Sequence, residues 1–305
     1  MKKLFILFLL VMLIGCSKNE SEYKIITPNG MPSIAQSLIE YNQAETNYLV
    51  ERVSGPQSLI AAFTSNSHDF IIAPLNLGAN LYQKNSTYKL AAIITWGNLQ
   101  FVSHEEITGL GDLAGKDIIA FGENTVNQMI IEMVIDNYGF ENNPNINYQA
   151  SSTQESMTMF LQDENAVAIM AEPTTSIANT MTDSLYVLDI GNLWSQNNEQ
   201  MNFPQAGVFV SEDLTDSEIT DYLNELESSV NYVIENPTIT GSNCETMEYP
   251  FSSDIITNSI NPNIINFKLI SDIRPFISDF YQMIYDFNPT LIGEELPDDN
   301  FYWIE

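Results

Sequence analysis

Short apolar runs alternate with amphipathic segments along most of this 305-residue chain, and the alternation restricts the possible folds more than any other feature. Each apolar run has the length of a β-strand. The segments between them repeat their apolar residues with helical spacing, as Ile34, Leu38 and Tyr41 do. Strand-like runs of the first half are "YKIITPNG", "NYLVERV", "DFIIAP" and "YKLAAIITWGNLQFVS", the last broken at Trp96-Gly97-Asn98. A β-α-β-α-β order predicts an α/β fold with a parallel sheet covered on both faces.

A second set with the same rhythm begins near Leu113. The stretch "LAGKDIIAFGENTVNQMIIEMVIDNYGF" predicts a strand at residues 117–121, a turn, and a long helix ended by Gly139. Further strands are predicted in "INYQAS", "NAVAIMAEP" and "SLYVLDIGNLW". "FPQAGVFVSEDL" is interpreted as the return to the first unit, and the remainder of the chain is predicted to be mostly helical.

The formal net charge of −30 limits the partners that electrostatics could favour. A chain this acidic is not expected to bind nucleic acid or an anionic membrane surface through its charge. A solubilising surface is the simpler interpretation. Beyond residue 16 the only cysteine is Cys244, and His68 and His104 lie in polar stretches typical of surface turns. One cysteine forms no internal disulfide or structural zinc site, so we expect no metal and no thiol catalysis.

The first twenty residues, "MKKLFILFLLVMLIGCSKNE", have the pattern of an export signal. Two lysines precede an apolar run that is too short to span a bilayer comfortably. The run ends in "LIGC", which resembles the bacterial lipobox and implies cleavage before Cys16 and acylation of its sulfur. The alternative is an ordinary signal peptide with an incidental cysteine. We therefore expect a lipoprotein signal peptide at residues 1–15 and a polar tether at 16–22.

Turns with small polar side chains follow most of the predicted strands: "TPNGMPS", "SGPQS", "APLNLG", "TWGN", "GENT" and "AEPTT". The free N–H groups at a helix start are donors awaiting a partner. One such turn is explained by ordinary helix capping, whereas six in two sets indicate a ligand cleft. The candidate ligand-binding residues are Asn29, Gly30, Met31, Pro32, Gly55, Gln57, Ser58, Pro74, Asn76, Trp96, Asn98, Gly122, Glu123, Asn124, Thr125, Glu172 and Phe203.

The "GENT" turn carries no nucleophile, no phosphate-binding glycine pattern and no lysine. Asn124 and Thr125 could donate hydrogen bonds, and Gly122 lets a ligand approach the backbone. We interpret the turn as holding a ligand without transforming it. No enzyme activity and no cofactor are predicted.

Several segments together resemble the substrate-binding lipoproteins of ABC importers, in the branch that takes up nitrate, sulfonates, taurine and pyrimidine precursors of thiamine. The resemblance covers nearly the whole mature chain and rests on "DFIIAPLNLGANLYQKNSTYKLAAIITWGNLQFVS", "LAGKDIIAFGENTVNQMII", "AIMAEPTTSIA", "FPQAGVFVSEDL" and "FNPTLIGEELPDDNFYW". It implies the type II periplasmic-binding-protein fold, two α/β lobes with a ligand cleft between them. Enzymes that share this fold need a His or Cys cluster, which these turns lack.

The resemblance implies one lobe from residues 23–97 plus 206–305 and a second from 98–205, with bending near Trp96 to Gln100 and Met201 to Gln205. It also implies an ABC importer permease as partner and a lipid-anchored, monomeric protein at the outer face of the bacterial cell membrane or in the periplasm. A non-transport surface lipoprotein or a sensor subunit is the alternative.

The ligand is not determined by the resemblance. Acids (Glu123, Glu172) and an aromatic plate (Trp96 or Phe203) favour a small neutral or cationic ring, with a thiamine-type pyrimidine first among the candidates. A small oxyanion such as a sulfonate or nitrate, held by helix-start N–H groups, is the alternative. Glu172 could equally be a residue of the fold, and Trp96 could be core or hinge packing.

Overall fold

The computed structural model describes residues 22–198 and 200–304. The predicted signal peptide, Cys16 and all of the tether except Glu22 lie outside the described residues. In chain order the elements are β1 (Tyr23–Pro28), α1 (Met31–Ala35), α2 (Ser37–Tyr41), β2 (Tyr48–Val53), α3 (Pro56–Ser65), β3 (Phe70–Pro74), α4 (Leu75–Tyr82), β4 (Lys89–Trp96), β5 (Gln100–Ser103), β6 (Asp117–Phe121), α5 (Val126–Tyr138), β7 (Asn145–Ala150), α6 (Thr153–Phe160), β8 (Val167–Met170), α7 (Thr174–Asn179), β9 (Tyr186–Asp189), α8 (Ile190–Ser195), β10 (Pro204–Val210), α9 (Asp216–Glu235), α10 (Pro237–Thr246), α11 (Ser253–Ser259), β11 (Ile265–Leu269) and α12 (Ile270–Phe287).

The first sheet has the strand order β11-β4-β10-β3-β1-β2. β1 is parallel to β2 and β3, as predicted. β10 runs antiparallel to β3 and β4, and β11 antiparallel to β4, so the prediction of a parallel sheet is wrong for this part. β10 returns from the second sheet after α8 and inserts between β3 and β4, so no β-α-β crossover within the first sheet links it to either neighbour. A parallel neighbour requires such a crossover.

The second sheet has the order β7-β6-β8-β5-β9. β6 is parallel to β7 and β8, whereas β5 is antiparallel to β8 and β9. The predicted strand in "SLYVLDIGNLW" is correct only as far as Asp189. The Asp189 carboxylate accepts a hydrogen bond from Asn192 N at 2.9 Å, and this N-cap begins α8.

The chain passes from one sheet to the other between Trp96 and Gln100 and returns before Pro204. We keep the lobe boundaries 23–97 plus 206–305 and 98–205 as a proposal. A continuous apolar core extends across this junction: Phe209 in the first sheet, Ile118 in the second and Phe203 just before β10 belong to one packed cluster. Burying one such side chain stabilises the fold by roughly 1.5–3 kcal/mol.

None of the described helices is long and apolar enough to cross a membrane. The long helices α9 and α12 instead bury one face each, with Leu226 and Ile277 among the fully buried positions. α12 belongs to the C-terminal part of the chain, and it also contacts α5, which follows β6 of the second sheet. α12 therefore touches both halves of the molecule beside the cleft.

Candidate functional site

A cavity of about 230 Å³ lies between the two sheets. It adjoins the carboxyl ends of β1, β3 and β4, the edge at which open α/β sheets hold ligands. From the first sheet and its helices come Pro28, Met31, Pro32, Pro74, Leu75, Asn76 and Thr95. The two crossovers contribute Asn98, Phe203, Pro204, Gln205 and Ala206, while Val126 and Asn127 of α5 and Phe280 and Ile284 of α12 complete the wall.

No lining residue in the described part of the chain is Asp, Glu, His, Lys, Arg or Cys. The polar groups are the amides of Asn76, Asn98, Asn127 and Gln205 and the hydroxyl of Thr95. All other lining residues are apolar. An ion enclosed there would lose hydration without meeting an opposite charge, so the lining favours an uncharged occupant.

Asn76 and Asn127 approach the cavity from opposite sides. Each is the second residue of its helix, α4 or α5, and neither side-chain amide has a hydrogen-bond partner among the described residues. At the start of α5, Thr125 Oγ1 accepts from Asn127 N at 3.2 Å and donates to Gly122 O at 2.6 Å. This cap fixes the backbone of Asn127, and its amide is left available to a ligand.

Gln205 and Thr95 each use their side-chain oxygen to accept a hydrogen bond from a backbone N–H group. Gln205 Oε1 accepts from Asn98 N at 3.2 Å, and Thr95 Oγ1 accepts from Ala206 N at 3.2 Å. The Gln205 NH₂ and the Thr95 hydroxyl proton are therefore the donors that these two residues can offer to the cavity.

Asn98 also lines the cavity, but its side chain is committed elsewhere. Its Oδ1 accepts from Glu172 N at 2.6 Å, and its Nδ2 donates to Glu172 O at 3.0 Å. The Glu172 carboxylate caps α7 through Ser176 N at 3.0 Å and does not line the cavity. Burial raises the pKa of Glu172 above its ordinary value, partly offset by hydrogen bonds from Ser176 and Gln100.

The structure brings six of the predicted site residues together around the cavity: Met31, Pro32, Pro74, Asn76, Asn98 and Phe203. Gly30 directly precedes Met31 in the chain and is the N-cap residue of α1, with a φ of 109°. It does not line the cavity. Asn29 next to Gly30 donates from Nδ2 to Ser54 Oγ at 3.0 Å. Gly55, Gln57 and Ser58 are exposed at the start of α3 and do not line the cavity. Their roles as ligand contacts stay predictions.

Trp96 and the "GENT" turn lie outside the lining. The Trp96 indole N–H donates to Asn266 O at 2.7 Å, and its side chain borders a separate cavity of about 460 Å³. Glu123 and Asn124 are exposed, and Asn124 N donates to Gln128 Oε1 at 2.7 Å. Gly122, at φ of 83°, and Thr125 shape the start of α5, so the turn positions Asn127.

The sequence analysis did not select Asn127, Thr95, Phe280 or Ile284, and it gave Gln205 only a hinge role. Asn127 had a detectable signal, as an amide in the first turn of a helix that follows a strand-end turn. Phe280 and Ile284 had none, because an apolar i, i+4 pair on a long helix is typical of any core.

Groups with chemical reactivity lie away from the cavity. Cys244 is fully buried, and burial raises the pKa of its thiol to about 11, which makes it unreactive. His68 bonds Ser67 and Glu51, and His104 stacks on Phe160 at 3.9 Å between ring centroids. Within residues 22–198 and 200–304, no group of three His, Cys, Asp or Glu side chains could hold a metal ion.

No protein-family model and no curated protein matches the chain, whereas solved structures do. The crystal structure of an ABC transporter from Parabacteroides distasonis has a TM-score of 0.79 at 20% identity, covering 94% of this chain and 100% of that one. The periplasmic aliphatic sulphonate binding protein SsuA from Escherichia coli has 0.70 at 11% identity and 92% of each chain. The ligand-binding component of an ABC-type import system from Staphylococcus aureus, with zinc bound, has 0.65 at 14%, covering 93% and 97%.

The fold is that of the periplasmic binding proteins. The predicted α/β fold class is thereby confirmed. The cavity bounded by Asn76 and Asn127 lies between the two sheets, where the resemblance found in the sequence implies a ligand cleft. At identities of 20% and below, the likeness concerns the fold and leaves the ligand open.

Proposed function

We propose that this chain is the extracytoplasmic solute-binding protein of an ABC importer and closes on a small, neutral, ring-containing nutrient. The observation that carries the proposal is the uncharged cavity between the sheets, with a free amide on each side at Asn76 and Asn127. A ligand bonded to both amides would hold the two halves closed, and a permease would recognise that closed form. Solved structures with the same fold include an ABC transporter and the ligand-binding component of an ABC-type import system.

The cavity size supports a single-ring ligand. Its volume of about 230 Å³ equals that of roughly eight water molecules at about 30 Å³ each. Pockets for drug-sized molecules are larger, at about 300–1,000 Å³. A hydroxymethyl-aminopyrimidine matches this size and remains the first candidate, ahead of the larger thiamine and riboflavin.

The lining chemistry supports a neutral ligand rather than a cationic one. Neither Glu123 nor Glu172 lines the cavity, so no carboxylate there would balance a positive charge. An aminopyrimidine edge presents donors and acceptors that amides can pair with, at about 0.5–1.5 kcal/mol for each hydrogen bond. The buried ring of Phe203 supplies an aromatic face, and an aromatic pair adds roughly 0.5–1.5 kcal/mol.

A small oxyanion is the second candidate ligand. The similarity to SsuA, an aliphatic sulphonate binding protein, favours it. Backbone N–H groups at the starts of α4 and α5 could donate hydrogen bonds to an anion. Against it, a sulfonate or nitrate in this cavity would have no cationic side chain beside it.

The cellular setting is also part of the proposal. A lipid anchor at Cys16 would hold a monomeric protein at the outer face of the bacterial cell membrane or in the periplasm, next to its permease. Replacing this cysteine (Cys16→Ser) should move the protein from the membrane fraction to the soluble fraction. Retention at the membrane with unchanged mobility would contradict the anchor. A surface or sensor lipoprotein without a transport role would share the anchor but have no partner permease.

Mass spectrometry of small molecules carried through purification tests the function. The protein is purified natively, and the compounds released on unfolding are compared with those from an Asn76→Ala, Asn127→Ala double variant purified in parallel. We expect one neutral heterocycle, enriched in the parent protein and depleted in the variant. A sulfonate or nitrate enriched in the parent protein instead would identify an oxyanion as the ligand. If the parent protein and the double variant release the same compounds in the same amounts, the cavity is not the ligand-binding site.

A further inference from the structure

Phe280 separates the ligand cavity from a second cavity. Its side chain, on α12, lines both the 230 Å³ cavity and a neighbouring one of about 110 Å³. Trp194 of α8 lies in the wall of the smaller cavity, together with Phe276 and Met283 and the polar residues Asn197, Asn198 and Asp279. The Trp194 and Phe280 rings meet edge to face, with 6.3 Å between their centroids.

Trp194 has an unused hydrogen-bond donor. The residue is 1% exposed, and its indole N–H finds no acceptor among the described residues. Phe203, which lines the ligand cavity, also packs edge to face on Trp194, at 6.0 Å. Phe203 and Phe280 therefore both contact the Trp194 ring and line the ligand cavity. A buried donor without a partner costs stability, and an acceptor atom on a longer ligand would recover it.

We propose that Phe280 limits the length of the ligand by closing its cavity off from the smaller one, which would accommodate a second ring bearing a hydrogen-bond acceptor once this side chain is shortened. The inference rests on the proposed function, because it concerns the same cavity. The backbone of α12 is held through buried Ile277 and Ile284 on either side of Phe280, so the partition is a side chain on a fixed helix. Shortening that side chain joins the two cavities and leads to Trp194.

The matched pair of variants is Phe280→Ala and Phe276→Ala. Both make the same change on the same helix, but Phe276 lines only the smaller cavity. The probes are a neutral aminopyrimidine and the corresponding aminoquinazoline, which carries the same ring fused to a second one. Calorimetry measures the affinity of both probes for the parent protein and each variant. We expect Phe280→Ala to gain several-fold, up to about tenfold, in affinity for aminoquinazoline, the size of one aromatic ring contact, and Phe276→Ala to gain none.

The acceptor requirement is tested in the Phe280→Ala background. An aminopteridine places ring nitrogens where aminoquinazoline has carbon. Replacing Trp194 by phenylalanine removes the N–H and keeps an aromatic ring. We expect Trp194→Phe to lower the affinity for aminopteridine by several-fold, up to about tenfold, and to leave that for aminoquinazoline unchanged. Equal losses of affinity for the two probes would show that the Trp194 N–H donates no hydrogen bond to the second ring.

The length limit is overturned if Phe280→Ala gains no more affinity for aminoquinazoline than Phe276→Ala does. This criterion is independent of the proposed function: a parent protein that binds no aminopyrimidine, with a variant that binds aminoquinazoline, supports the partition and contradicts the ligand class. Near-ultraviolet circular dichroism checks the packing of each variant. If Phe280→Ala does not fold, Phe280→Leu is judged by the same comparison.

Discussion

Asn98 holds the backbone of Glu172 with both ends of its side-chain amide, accepting from N at 2.6 Å and donating to the carbonyl oxygen at 3.0 Å. Asn98 belongs to the first crossover, and Glu172 follows β8 of the second sheet. The crossover from Asn98 onward is therefore attached to the second sheet. We expect bending between the halves to fall on the residue just before it, Gly97, whose φ of 48° lies in the left-handed region.

Replacing Asn98 by aspartate should destabilise the protein by about 1–3 kcal/mol. The aspartate can still accept from Glu172 N, but it cannot donate to Glu172 O and places a negative charge against it. Urea unfolding measures the loss. The control is Asn80→Asp, which removes a donor to Thr290 O at an exposed site and should cost less. Equal losses of unfolding free energy would mean that the two Asn98 hydrogen bonds stabilise the fold no more than the exposed hydrogen bond of Asn80 does.

Replacing Glu172 by glutamine should stabilise the protein at neutral pH. Burial raises the pKa of Glu172 in the folded state above its ordinary value of 4.5. The folded state thus holds this proton more tightly than the unfolded state, and stability from this group is lost as the pH rises through the raised pKa. The glutamine side chain can still accept from Ser176 N.

Thermal unfolding of both proteins across the pH range checks this expectation. The Tm difference between Glu172→Gln and the parent should be small below pH 4.5 and should grow as the pH rises to neutrality. A parent protein that is the more stable of the two at neutral pH would show that the ionised carboxylate is favourable there.

Replacing Gly97 by alanine should cost about 2–4 kcal/mol, from the left-handed backbone together with overpacking. A Cβ at position 97 would lie 2.5 Å from Asn202 Cγ. Gly139 is the matched control, because its φ of 71° is also left-handed but no atom lies within 4 Å of an added Cβ. Gly139→Ala should cost only about 1–2 kcal/mol.

The contribution of Asn202 is separated by a double-mutant cycle measured with urea. In an Asn202→Ala background, Gly97→Ala should cost no more than Gly139→Ala does. An undiminished cost would place the strain in the backbone and not in the contact with Asn202.

Replacing Asn127 by alanine should weaken ligand binding by about 0.5–1.5 kcal/mol, the contribution of one neutral hydrogen bond. The matched control is Asn137→Ala, on the same helix but exposed and outside the cavity lining. Calorimetry should find a loss for Asn127→Ala only. Equal affinities for the two variants would exclude Asn127 as a ligand contact.

Much of the fold could be predicted from the sequence, because strand and helix periodicities are local. The parallel pairing of β1 with β2 and β3 follows from such patterns, whereas the direction of β10 depends on a crossover through the second sheet. The site was harder to predict. Met31 and Asn76 were selected because strand-end turns mark the cleft edge, but Phe280 comes from a distant helix that reaches the cavity only in the folded chain. Trp96, chosen for its ring, has its indole N–H directed to Asn266 O.

The central claim is that the cavity holds a small neutral ring. Calorimetry of the ligand-stripped protein against hydroxymethyl-aminopyrimidine, thiamine, riboflavin, taurine and nitrate tests it most directly. We expect tight binding of hydroxymethyl-aminopyrimidine, weak or absent binding of the two larger compounds, and no heat from taurine or nitrate. Tight binding of taurine or nitrate, with no response to any heterocycle, would contradict it.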